Sequence, residues 1–393
     1  MIQRFDKDSE LMIDAMRGIA AMLVMVTHTF DLAVTDVFGW DMARSPENWR
    51  WARASIGHGG YWVWCFFVIS GLCIHQSIAR SVATGTFSWR RYLLARGTRI
   101  YPLFLLGLCL AVVAWGLHED WGGEADPAPL RQFFASLLSL QILTTPFPSF
   151  ETSWSLSCEM IYYVVWPAVL LMLRGRFSAA VYACLTGSVA VLLLILFVWK
   201  GAHRLEHSAA VDGIWTVAVL FPVWVCGAWL AGNWSWVSER VTRRVWASSL
   251  GLCVLSEGLL SYFKFNEYPG WMTHATSWAS IPGLLIFIAG ARHARLSAFN
   301  WAEPVCRWLG QFSYPCYILH MQLLLTLNHF LKPLLPNATG GNPLWGFVML
   351  LVPVLGSLIL VGPRLERASM RWRAGLLAQN RVPLAPVRLD VAP

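Results

Sequence analysis

Apolar residues recur along this chain in runs of about 17 to 25, the length an α-helix needs to cross the hydrocarbon core of a bilayer. Ten such runs stand out, at 15–34, 61–79, 100–117, 155–173, 178–199, 214–232, 245–263, 276–291, 311–331 and 345–362. They predict an all-α integral membrane protein of about ten transmembrane helices. A transmembrane domain over 1–373 and a loose tail over 374–393, marked by Pro383, Pro386 and Pro393, divide the chain. The stretch Phe133 to Leu143 is apolar but too short to span, and is expected as a re-entrant or interfacial segment. The first run is not followed by a small-residue cleavage pattern, so it is expected to be retained as a span. Two connections, 35–60 and 118–154, are long, yet neither has room for a separate catalytic domain.

Composition excludes a soluble globule. Of 393 residues 56% are hydrophobic and 13% charged, against roughly 25% charged in soluble domains, and the mean hydropathy is +0.52. The net charge of +8 could suggest nucleic acid, but the basic residues gather on no single patch. They sort instead by membrane side, and placing both termini in the cytoplasm puts most of the 30 Lys and Arg residues inside. Eight of the nine cysteines lie within apolar segments and Cys306 lies in a basic connection. Neither a disulfide framework nor a metal site is expected.

Ionisable groups inside a span are costly and call for a partner, a cavity or a function. Arg17 and His28 are three helical turns apart on the first span, on one face and about 16 Å from each other, with Asp31 one turn further. Arg17 reads as a cytoplasmic anchor or a site residue, and His28 as a packing histidine or a site residue. The fourth span opens Ser153-Trp154-Ser155-Leu156-Ser157-Cys158-Glu159, which sets a carboxylate just inside the apolar region. Tyr162, Tyr163 and Trp166 share the face of Glu159; for Tyr163 and Trp166 interfacial anchoring is the expectation. On the ninth span Tyr314, Tyr317 and His320 continue the pattern. Ahead of the third span, Arg96 and Arg99 share a face with Tyr92. That spacing suits a polyphosphate, because guanidiniums bind phosphate oxygens bidentately, whereas Arg90 and Arg91 need no more than anionic lipid.

Taken together these segments resemble the acyltransferase family 3 membrane proteins, which O-acylate bacterial cell-surface glycans and some small molecules. The resemblance rests on Asp14-Ala15-Met16-Arg17-Gly18-Ile19-Ala20 leading to His28, Phe66-Phe67-Val68-Ile69-Ser70-Gly71, Arg96-Gly97-Thr98-Arg99, the run from Ser153 to Glu159, and Ser313-Tyr314 through Tyr317 to His320. The chain departs from the pattern at Ala15, where glycine is common, and at Cys158, where a small or acidic residue is frequent. With no esterase-like domain after the last span, it resembles the stand-alone form.

The resemblance implies a multi-pass protein of the bacterial cytoplasmic (inner) membrane with no permanently bound cofactor. It further implies an acyl-CoA donor, acetyl-CoA by default, on the cytoplasmic side and a glycan or other hydroxyl acceptor on the outer side. On that footing Arg17, Arg96 and Arg99 would hold the CoA phosphates and His28 would act as general base or acyl carrier. Glu159 would orient His28 or bind acceptor hydroxyls, with Asp31 as the other candidate to orient the imidazole. Ser70, Tyr317 and His320 would be hydrogen-bonding or oxyanion partners, and Trp154 would touch substrate. Two other classes fit parts of the pattern: a secondary transporter with intramembrane His, Glu and Arg residues, and a b-type haem protein using His28 and His320 as axial ligands.

Overall fold

The computed structural model describes residues 5–37, 46–117, 129–202, 208–335 and 342–379. Among them the chain is helical throughout its regular structure: α1 (Lys7–Phe30), α2 (Glu47–Ile56), α3 (Gly59–Ala83), α4 (Trp89–Leu117), α5 (Pro129–Leu137), α6 (Trp154–Met172), α7 (Phe177–Ala202), α8 (Ala209–Gly232), α9 (Trp234–Arg240), α10 (Arg243–Phe265), α11 (Gly270–Ala289), α12 (Ala302–Leu331) and α13 (Pro343–Gln379). Each of the ten expected spans falls on one helix. Nine of these are long and apolar enough to cross a membrane by length and composition. The tenth, α12, has 30 residues and a length of about 45 Å. It is less apolar because it lies inside the bundle against α1, α4 and α13, where His320, Gln322 and Asn328 are fully buried. A helix shielded from lipid by its neighbours has no need of an apolar surface on every side.

Local chemistry sets the ends. Asp6 caps α1 by accepting from the Ser9 amide at 2.9 Å, and Asp8 and Glu10 sit in the first turn, where the helix dipole favours negative charge. Thr242 and Ser208 cap α10 and α8 in the same way. Past Phe30 the first helix does not stop but widens into a π-helical turn, Asp31–Asp36. The last helix runs on to Gln379, well beyond the apolar run that announced it and through the first residues of the expected tail; the rest of that tail, 380–393, lies outside the described residues.

Two contacts set the architecture. Helix α1 lies along α12, and α3 lies along α8. In the second pair Gly71 faces the Trp224 carbonyl and Gly227 faces the Val68 carbonyl, so closely that a Cβ at either position would collide with backbone. Small residues at such crossings let membrane helices approach closely. Helices α7 and α10 hold the outside of the bundle, with Leu193, Leu194, Phe197, Val254 and Leu255 exposed where lipid would meet them.

The segment Phe133 to Leu143 does not cross. It forms α5, turns at Ser139 in the left-handed region (φ 56°), and continues as a 3-10 turn, Gln141–Leu143. Its backbone is satisfied by protein: Ser157 Oγ donates to the Ser139 carbonyl at 2.6 Å and accepts from the Ile142 amide at 3.3 Å, while the buried Gln141 side chain donates to the Ser153 carbonyl at 2.7 Å.

Ion pairs identify the two ends of the bundle. At one end Lys7 pairs with Glu303 at 2.5 Å, Arg307 with Asp14 at 3.6 Å, and Arg99 with Glu366. The start of α1 and the end of α13 therefore share one side, which is rich in arginine. At the other end Asn328 and Lys332 of the α12 terminus reach Asp36 at 2.7 and 2.9 Å.

Candidate active site

Five helices enclose a cavity of about 190 Å³ toward the arginine-rich end. Its wall carries Arg17 from α1, Ser70 from α3, Arg96 and Arg99 from α4, Glu159 from α6 and Tyr317 from α12, so six of the ten expected site residues converge on one space. At its centre the Tyr163 hydroxyl donates to Glu159 Oε2 at 2.7 Å and lies 3.1 Å from Ser70 Oγ. Ser70 Oγ also accepts from Trp224 Nε1 at 3.1 Å. With its own proton spent on Glu159, the Tyr163 oxygen can only accept from Ser70, so the donors run in one direction from indole to carboxylate.

Tyr163 and Trp166 are therefore not interfacial anchors, as their aromatic stripe suggested. Tyr163 lines the cavity, and Trp166 is completely buried against His75, Phe177 and Trp224. This face of α6 packs on Ser70 and His75 of α3 and Trp224 of α8, and spacing along one helix carries no information about that rotation. Trp154 is on the wall of neither cavity described here and packs on Phe67, 6.4 Å between ring centres.

The basic rim is partly occupied by the protein itself. Arg96 donates to Ser77 Oγ at 2.7 Å and lies 5.6 Å over the Tyr92 ring. Arg99 lies 5.6 Å over the Tyr314 ring and is ion-paired with the buried Glu366 of α13. Glu366 went unnoticed in the sequence because it sits one turn beyond the last apolar run. Of the three guanidiniums expected to meet a polyphosphate, Arg99 thus already has an internal counterion.

His28 and Asp31 belong elsewhere. They line a second cavity of about 370 Å³ at the opposite end, with Thr35, Asp36, Arg53 and Met321. Glu159 consequently does not orient His28; it is committed to Tyr163, on the other cavity. The carboxylate beside His28 is Asp31, which is 3.5 Å from Arg53.

What joins the two cavities is α12. The ring of His320, fully buried, lies 5.4 Å from that of His28 and 6.3 Å from that of Tyr317. His320 Nδ1 is 2.8 Å from the Cys316 carbonyl and must donate to it, which leaves Nε2 as a bare acceptor. That atom is buried with no hydrogen-bond partner among the described residues. Tyr317 donates to the Thr152 carbonyl at 3.2 Å, so the Ser155 hydroxyl, 2.6 Å away, donates to Tyr317. Among the described residues no group of three or more His, Cys, Asp or Glu side chains is placed to hold a metal ion.

The described residues form an all-α bundle with a buried carboxylate and an arginine rim on one cavity and a histidine on the other. The acyltransferase family 3 model, an acyltransferase domain, matches residues 11–362, and the chain belongs to that family. It is 30% identical over 281 residues to acyltransferase MdmB of Streptomyces mycarofaciens, covering 66% of this chain and 66% of that protein, just under two thirds of the relative's length. It is also 26% identical over 193 residues to protein 2 in the picA locus of Rhizobium radiobacter, covering 44% of this chain and 90% of that protein. No solved structure matches.

Proposed function

We propose that the chain moves an acyl group, acetyl by default, from acyl-CoA on the cytoplasmic side to a hydroxyl of a cell-surface or exported glycan on the outer side. The positive-inside rule assigns the arginine-rich end to the cytoplasm of a bacterial inner membrane. The observation that carries the reading is the pair of cavities, one rimmed by arginine and including Tyr317, one holding His28, with the buried His320 ring 6.3 Å from Tyr317 and 5.4 Å from His28.

In this mechanism the donor enters from the arginine-rich end. Arg17 and Arg96 take its phosphates, and its thioester reaches toward Tyr317 and Ser155. The acceptor hydroxyl stands in the outer cavity, and His28 removes its proton as the oxygen attacks the thioester carbon. The C–S bond breaks, CoA leaves as the thiol with the proton returned through His28, and the ester stays on the acceptor. Asp31 supports the imidazolium that forms. Glu159 with Tyr163 and Ser70 holds the donor cavity in shape. The printed name of the Streptomyces relative supports acyl transfer as the chemistry.

The test uses inverted membrane vesicles given labelled acetyl-CoA, with an ionophore present to remove any gradient. Acylation of envelope glycan by the wild-type protein and its loss in His28→Ala, at equal protein level, is the expected result. Normal acylation by His28→Ala would sink the assignment of the base, and a requirement for a gradient without acetyl-CoA use would return the protein to the transporters.

A further inference from the structure

The last helix keeps a polar face buried after its apolar run has ended. Beyond the residues matched by the family model, 11–362, α13 continues to Gln379. On this stretch Arg364, Arg367 and Arg371 are exposed, as arginines that anchor the cytoplasmic end of a span would be. Glu366, Ser369 and Arg373 recur at helical spacing on another side, toward α4, whose Arg99 holds Glu366. Glu366 and Ser369 are buried and Arg373 is half-buried. Arg373 thus differs from the other three in being turned toward protein, where a guanidinium calls for an anion.

The carboxylates around it are already engaged. Arg373 lies within electrostatic reach of Arg96, Arg99 and Glu366. Its Nη1 is 3.9 Å from Met370 Sδ, and its Nε is buried with no hydrogen-bond partner among the described residues. Three carboxylates act on the guanidiniums of this end, and each has its own donor: Asp14 has Arg307, Glu159 has Tyr163 and Glu366 has Arg99. Ser369 Oγ and Arg96 Nε are likewise buried and unpartnered among the described residues. Open donors on α4 and α13 thus surround a single committed carboxylate. What they lack is an anion that accepts several hydrogen bonds at once, and a phosphate does so.

Position selects which phosphate. In the proposed mechanism the thioester lies inside the cavity, and Arg17 and Arg96 meet phosphates at its arginine-rich end. Arg373 is one to two turns beyond Glu366, about 10 Å further toward the cytoplasmic end of α13. The groups of an acyl-CoA come in the same order: thioester, pantetheine arm, pyrophosphate and, last, the 3′-phosphate of the ribose. We infer that Arg373, with Ser369, binds this 3′-phosphomonoester, and that α13 thereby makes the enzyme select a complete CoA thioester over one that lacks the 3′-phosphate. The inference rests on the reading of the protein as an acyl-CoA-dependent transferase and adds a specificity-determining residue to it.

The protein reconstituted in lipid nanodiscs is titrated with labelled CoA and with labelled 3′-dephospho-CoA, without acceptor. Wild type should bind CoA at least about tenfold more tightly, the weight of one hydrogen bond to a charged group. Arg373→Ala should lose that preference by weakening CoA binding alone, Arg373→Lys should keep part of it, and Arg371→Ala, on the exposed side, should keep all of it. Initial rates should show the same change in KM for acetyl-CoA, with kcat and KM for the acceptor unmoved. Equal weakening toward both ligands by Arg373→Ala, or a wild type that does not distinguish them, would overturn the inference while leaving acyl-CoA as the donor. Should Arg373→Ala fail to fold, the wild-type preference and its reduction in Ser369→Ala decide the question. A loss of CoA binding seen only in nanodiscs of anionic lipid would make the headgroup the ligand of Arg373 and overturn the inference too. Wild type that binds neither form refutes the acyl-CoA reading itself, and the inference with it.

Discussion

Arg99 and Glu366 show how a single side chain changes meaning with its partner. Along the sequence Arg99 reads as one of two guanidiniums spaced for a polyphosphate; in the folded chain it is held by a carboxylate 4% exposed. Removing one member of a buried pair strands the other charge, which costs about 3 to 5 kcal/mol. Arg99→Ala should therefore lower the midpoint of thermal unfolding in detergent, whereas Arg96→Ala, whose neighbours are Ser77 and Tyr92, should chiefly raise KM for acyl-CoA. Equal thermal midpoints for the two variants would show that the Arg99–Glu366 pair has no structural weight. His320 makes a similar case. Its fixed tautomer and contact with His28 predict that His320→Ala lowers kcat for acyl transfer while leaving KM for acyl-CoA in place, measured by initial rates at saturating acceptor. Neither partnership was legible from the sequence, because each joins helices hundreds of residues apart and depends on which way those helices are rotated.

Among the elements, α1 does the most to organise function, since it reaches both cavities. The eleven-residue spacing set Arg17 and His28 on one face; in the folded chain the α-helical part places Arg17 on one cavity and His28 on the other, and the π-helical end adds Asp31, Thr35 and Asp36 to the second. Inserting one alanine after Ala33 sets Asp36 six residues beyond Asp31, which in α-helical register is about 240° around the axis, and should swing Asp36 off the wall. The expected outcome is loss of acceptor transfer with acetyl-CoA binding retained, measured by equilibrium binding of labelled acetyl-CoA; transfer at the wild-type rate would show that the π turn is incidental. The α3–α8 crossing has an equally specific demand. Gly227→Ala would drive a methyl group into the Val68 carbonyl, and overpacking of this kind costs about 1 to 3 kcal/mol. Because Ser70 rides on α3 and receives its hydrogen bond from Trp224 on α8, the same change should also weaken acyl transfer.

For the whole molecule, the ten long helices among the described residues, nine apolar ones and α12, and the ion pairs at the arginine-rich end bring the first and last helices to one side. Cysteines introduced at Asp8 and Gln379 should escape an impermeant thiol reagent in intact cells and react after permeabilisation; reaction of either in intact cells would invert or break the proposed topology. The sequence by itself determined the ten spans, their order and the residues out of place in a bilayer, because hydropathy over about 20 residues is a local property that lipid enforces on each helix separately. It also placed Arg17, Ser70, Arg96, Glu159 and Tyr317 on the list from which one cavity is made. Only the tertiary structure decided that Glu159 belongs with Tyr163 and not with His28, that Trp154 stands apart, and that Glu366, Asp36 and Arg53 complete the two sites. Those assignments turn on the rotation of each helix about its axis, on one turn wound wider than its neighbours, and on close backbone contacts between distant segments, none of which the spacing of residues along the chain can express.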